Sequence, residues 1–158
     1  MPQKSPTIRV RLASLTLTST FAPVLGTNAS DQADTTTGAV KLGAATSARA
    51  ALTYTRDGAS SSGLVKVRAM VSMDAPTTAP AAVANWTPAA MRADGASTAG
   101  VLSLVPEVHA LGPSASGAAV VTTPVVDVST AHWLRFELCD ADATHPGAIS
   151  AMSLVTVA

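Results

Sequence analysis

The apolar residues of this chain recur with a period of two, the spacing that puts alternate side chains on one face of a β-strand, and the 3.6-residue period of an amphipathic helix is nearly absent. Six segments carry the pattern. Across 7–20, Ile8, Val10 and Leu12 share one parity, and Leu15 and Leu17 then take up the other. A β-bulge or sharp bend introduces that kind of change. Residues 22–47 are broken by Pro23, Gly26, Gly38, Gly43 and the polar run 31–37, and only Val40 and Leu42 hint at pairing. They read as a long loop or arm.

Ala48, Ala50, Leu52 and Tyr54 alternate with Arg49, Thr53 and Thr55, and 56–63 supplies turn residues. The chain then returns with Val65, Val67, Ala69, Val71 and Met73 on one face and Lys66, Arg68 and Ser72 on the other. This spacing predicts a β-hairpin with a flexible tip. The Pro- and Ala-rich stretch 75–100 predicts an irregular excursion with a short helical turn near 88–92. Segments 101–111 and 118–128 contain Pro106 and Pro124, which cannot donate to a central ladder, and so predict edge strands. In 132–139, Leu134, Phe136 and Leu138 alternate with Trp133, Arg135, Glu137 and Cys139, and 148–157 forms the last strand after a turn at Gly147. Short strands without helices between them predict an all-β fold, an antiparallel β-sandwich of Ig-like or jelly-roll type with long loops. The 158 residues suit a single domain, with an N-terminal strand and polar arm over 1–47 and the sandwich core over 48–158.

Composition makes that core thin. Leu, Ile, Val and Phe number 34, half of them Val, and the only aromatic residues are Phe21, Tyr54, Trp86, Trp133 and Phe136. Ten basic residues balance ten acidic ones, so no long-range field would gather DNA, RNA or an anionic membrane, and neither is expected as a partner. No run of about 18 apolar residues predicts a membrane-spanning helix. The opening residues alternate where a secretory signal would run continuously apolar, so synthesis in a cytoplasm is expected.

The residues that carry chemistry elsewhere are scattered here. His109, His132 and His145 sit in separate segments, no Ser occupies a nucleophile elbow, and Glu107 and Glu137 are the only glutamates. No Gly-rich phosphate loop follows a strand. Neither an enzyme nor a cofactor is expected. The lone Cys139 forbids an internal disulfide and reads as a small buried hydrophobe. Asp140, Asp142 and His145 have two readings: oxygen ligands for Ca²⁺, or ordinary turn residues bonding to their own loop. Trp86 and Trp133 either lid a core short of bulk or stand exposed, where they would stack on a sugar or anchor an interface.

The run Leu52-Thr53-Tyr54-Thr55-Arg56-Asp57-Gly58, the strand 67–74, Asn85-Trp86, the strand from Trp133 to Glu137, the acidic turn of Asp140 and Asp142 with Pro146-Gly147, and the strand 149–157 together resemble small tailed-bacteriophage virion proteins with Ig-like or jelly-roll sandwiches. The resemblance runs from Ala48 onward. The chain departs from it in the insertion 75–84. The resemblance implies a capsid decoration or cement protein located in the virion, made in the host cytoplasm and contacting the major capsid protein across capsomers. Alternatives are a tail or fibre component and a glycan-binding module. Cementing needs area, and the N-terminal segment with Ile8, Val10 and Leu12 would supply it by adding a strand to a neighbour's sheet. The same segment reads equally well as the first strand of the chain's own sandwich. Exposed edges predict self-association as a trimer.

Overall fold

A computed structural model describes residues 4–26, 34–55, 65–81, 85–89, 91–92, 118–123, 125–140, 144–145 and 147–157. In chain order its strands are β1 (Lys4–Thr16), β2 (Ala22–Pro23), β3 (Val40–Lys41), β4 (Ser47–Thr55), β5 (Val65–Ser72), β6 (Thr87–Pro88), β7 (Met91–Arg92), β8 (Ala118–Thr122), β9 (Val125–Asp127), β10 (Trp133–Asp140) and β11 (Ala148–Val157). The described residues are all-β without a helix, and every pairing is antiparallel. One sheet runs β1-β11-β4-β9-β7, with β8 also on β4. The other runs β2-β10-β5-β6, with β3 also on β10.

The two sheets meet over one apolar cluster. Leu52, Tyr54, Ile149, Met152 and Leu154 come from the first sheet, and Val67, Ala69, Leu134, Phe136 and Leu138 from the second. This follows from the period-two pattern, because each strand offers one apolar face and two such faces can hide only against each other. Burying a Leu, Ile or Phe side chain contributes about 1.5–3 kcal/mol. The cluster therefore holds the sheets together despite the few aromatic residues.

The parity change in the first strand has a structural counterpart. Ile8 and Val10 stand opposite Leu154 and Met152, Leu15 stands opposite Ile149, and the register is irregular between Arg11 and Leu15, where Leu12 falls. β11 changes parity too: its pairing with β4 shifts between Ile149 and Ala151, and its buried set moves from Ile149 to Met152 and Leu154. Since β1 lies in the chain's own sheet, the boundary at residue 47 is not a break in the fold. Residues 22–26 and 34–42 also stay with the domain, pairing with or bonding to β10.

Three local expectations are corrected. β4 and β5 do not form a hairpin: β4 pairs with β11, β8 and β9, whereas β5 pairs with β10 and β6. Their apolar faces look at each other across the core instead of lying side by side. Near 88–92 the chain contributes β6 and β7 in place of a helical turn. Segment 118–128 divides into β8 and β9, and β9 lies between β4 and β7, so only β8 keeps an edge position among the described residues. The expected strand 101–111 and the tip 56–63 lie outside the described residues.

Thr123 bridges the break before Pro124. Its N–H donates to Ala50 O at 2.7 Å, its hydroxyl accepts the Ala50 N–H at 3.0 Å, and its carbonyl accepts Arg49 Nε at 3.1 Å. A side-chain oxygen thus stands in for the ladder. Thr123→Val should strand the buried Ala50 N–H and cost about 1–3 kcal/mol in urea unfolding, whereas Thr123→Ser should cost less.

Candidate functional site

The outward face of β10 would be solvated in a simple sandwich, yet all eight residues of this strand are buried. Trp133 and Arg135 lie against a second layer made from segments 73–81, 85–89 and 34–39, and Glu137 and Cys139 are buried on the same side of the strand. The indole of Trp133 donates to Ala75 O at 3.2 Å and that of Trp86 to Pro80 O at 3.3 Å. Together with Ala39 and Met70 the two indoles form a separate small core. The exposed-platform reading of Trp86 and Trp133 is therefore corrected: both are covered, 5% and 8% accessible. Their ring faces are used within the chain.

At the centre of this layer sits Glu137, 2% accessible. Its Oε1 accepts from Arg68 Nε at 2.9 Å and Nη2 at 2.5 Å, and its Oε2 accepts from Arg135 Nη2 at 3.2 Å. Each guanidinium also lies over an aromatic ring at 4.4 Å, Arg68 over Phe21 and Arg135 over Trp86. Arg135 Nη1 reaches Thr37 O at 3.4 Å, while its buried Nε has no hydrogen-bond partner. Charge-assisted pairing offsets the desolvation of the carboxylate, and the ring faces accept part of the surplus positive charge. The carboxylate is buried and held by both arginines. The cluster ties β5 and β10 together through Arg68, Arg135 and Glu137. Sequence reading missed it, although opposite charges at Arg135 and Glu137 beside Trp133, with an arginine on the neighbouring strand, were the available signal.

The covering loop 34–39 is held by Asp34. Its Oδ1 accepts the Thr36 N–H at 2.8 Å, the Thr37 N–H at 2.7 Å and the Thr37 hydroxyl at 3.0 Å, and Gly38 completes the turn at φ 73°. A Cβ at Gly38 would run into Val24 O. Partial burial by itself raises the Asp34 carboxyl, but the hydrogen bonds from Thr37 and Thr36 outweigh it and leave the group below its usual value. A lowered folded-state value adds stability above the ordinary carboxylate range, and that stability is lost as pH falls through the lowered value. Asp34→Ala should thus cost about 1 kcal/mol at neutral pH, with the gap to the parent closing in acid. Thermal melts between neutral and acidic pH would show a pH-independent gap if the carboxylate were not responsible.

Asp140 does not stand open as a cation ligand. It is 2% accessible, and its Oδ2 accepts the Tyr54 hydroxyl at 3.2 Å and the Gly147 N–H at 2.7 Å. This ties the end of β10 to the start of β11. Gly147 is required because a Cβ there would meet the Tyr54 ring, with Thr55 O and Tyr54 Oη both at 2.6 Å. Gly147→Ala should displace that ring and lower stability by about 1–3 kcal/mol, readable in the tyrosine near-ultraviolet signal. Asp142 lies outside the described residues, and His145 is half-buried. Among the described residues no group of three or more His, Cys, Asp or Glu is placed to hold a metal ion.

His132 uses Nδ1 on two carbonyls, Met73 O at 3.1 Å and Asp74 O at 3.0 Å, so Nδ1 carries the proton. His109 is outside the described residues. At one end of the first sheet a cleft of about 270 Å³ is lined by Thr46, Ser47, Val125, Asp127 and Ser129. The Asp127 carboxylate there accepts the Ser129 N–H at 3.0 Å and hydroxyl at 2.8 Å. No described helix is long and apolar enough to cross a membrane. In comparisons with family models, curated proteins and solved structures, the chain matches none.

Proposed function

We propose that this chain is a structural protein of a virion, a capsid decoration or cement protein that works by contact across capsomers. The observation that carries the reading is the position of β1: thirteen residues long, it stands at the margin of its sheet and pairs only with β11 among the described residues. An outer strand of that length offers a row of backbone donors and acceptors to which an extended segment of a major capsid protein can add. The strand carries Lys4, Arg9 and Arg11, and no acidic residue precedes Asp31, which favours an uncharged or acidic partner segment. The doubly covered β10 supports the same role, because a cement must bear load without opening. The contact is proposed through the backbone edge of the β1 segment that contains Ile8, Val10 and Leu12, since Ile8 and Val10 are in register with the buried Leu154 and Met152.

The test is to add the purified chain to capsids that lack it. Binding near one copy per major capsid subunit is expected. A few copies per particle, or label on tails instead of heads, would overturn the decoration reading.

A further inference from the structure

The register of the first sheet sets its charges in rows. Arg9 of β1 stands opposite Ser153 of β11, which stands opposite Ala51 of β4, which in turn stands opposite Thr122 of β8. Arg11 heads the next row, followed by Ala151, Thr53 and Val120. These positions have the opposite parity to Ile8 and Val10, which stand opposite the buried Leu154 and Met152, so both rows cross the outward face. Neither row holds a carboxylate. A third row of Thr7, Val155 and Arg49 adds a further cation, and Arg49 Nε donates to Thr123 O at 3.1 Å. Asp127 is the one acidic residue in the described strands of this sheet. It shares the row of Lys4, Val157 and Ser47, three strand spacings or about 14 Å from Lys4, and it accepts the Ser129 N–H and hydroxyl. The chain is neutral as a whole, yet this margin of the sheet is basic.

We infer that the segment received by β1 is an acidic strand of alternating pattern, with Asp or Glu at two positions i and i+2 opposite Arg9 and Arg11 and apolar residues at the alternate positions opposite Ile8 and Val10. This deepens the strand-addition reading of β1 and rests on it. Among the described residues, the rows on the β11 side supply no counter-charge for Arg9 and Arg11. A strand on the other side of β1 can bring it close, because residues directly opposite have Cβ atoms about 4.5–5.5 Å apart. Opposite charges at that spacing stabilise the pair, and like charges destabilise it. A second copy of β1 is therefore a poor occupant: antiparallel addition centred on Arg9 or on Val10 sets arginine against arginine. The apolar positions of the added strand would extend the layer that Leu154 and Met152 occupy. A slip of one residue would turn its carboxylates toward the core, so the same pattern fixes the register.

Fluorescence anisotropy with the isolated full chain tests the inference, using a labelled peptide that alternates Glu and Val and a second of the same composition written in Glu-Glu-Val-Val blocks. Saturable binding of the alternating peptide is expected, weakening as salt rises, with the block peptide at least about tenfold weaker. Combining Arg9→Glu with Arg11→Glu should weaken binding of the alternating peptide by about tenfold or more and should create binding to a Lys-Val alternating peptide. That exchange also shows that the variant has folded. Lys41→Glu, exposed on β3 of the other sheet, should bind as the parent does. No binding of the alternating peptide overturns the inference, as does equal binding of the block peptide, which would mark charge without register. A double variant that binds the Glu-Val peptide like the parent overturns it too. Capsid attachment separates this inference from the decoration reading. Attachment that survives both arginine substitutions removes the acidic pattern and leaves the decoration role, whereas peptide binding by a chain that ignores capsids keeps the pattern and removes that role.

Discussion

Glu137→Ala should destabilise the chain by about 3–5 kcal/mol, an effect normally reserved for core truncations. The carboxylate is 2% accessible and accepts three hydrogen bonds from Arg68 and Arg135. Removing it leaves Arg135, whose side chain is 10% accessible, facing Arg68 with no counter-charge between them. Two like charges in a poorly solvated layer cost more than the lost bonds themselves. Replacing Arg135 and Glu137 together by Met and Leu should recover most of the loss, because apolar residues of similar volume carry no desolvation penalty. The checking measurement is urea unfolding of the parent, the single variant and the pair. A single-variant loss under about 0.5 kcal/mol would match a solvated surface pair, and the covered layer would then be wrong.

Phe136→Ala should cost about 3–5 kcal/mol through the opposite face of the same strand. Its ring is 1% accessible, lies in the shared cluster, and is one of two phenylalanines in the chain. A cavity in a core built from Val, Ala and Leu is poorly refilled, since short branched side chains cannot swing into the gap. Leu134→Ala, two residues away on the same face, should fall in the range of about 2–5 kcal/mol. Neighbouring residues 136 and 137 are therefore both expected to behave as core. That pairing of effects distinguishes a strand covered on both sides from an ordinary sandwich strand, and chemical unfolding of the two single variants reads it directly.

Period-two alternation determined a good deal by itself. It is a local property, so it placed the strand character of 48–54, 65–72, 133–139 and 148–157 and the inward sets Leu52 and Tyr54, Val67 and Ala69, Leu134 and Phe136, all of which the structure buries. The parity change between Leu12 and Leu15 was legible for the same reason, and it marks the irregular register of β1 against β11. The neutral balance of charge was also readable without coordinates.

Only the tertiary structure decided which strands are neighbours. β4 and β5 satisfy the same inward pattern whether they pair edge to edge or face each other across the core, and alternation carries no information that separates the two. It also decided what covers the second face of β10. The sequence left Trp133 open between a core lid and an exposed platform and did not show the burial of Arg135 and Glu137; segments 34–39, 73–81 and 85–89, distant in sequence, supply the cover, with hydrogen bonds that involve Trp133, Trp86 and Arg135. The energy of that cover lies in contacts between segments that share no local pattern, and so it is written in the fold and not in any window of the chain.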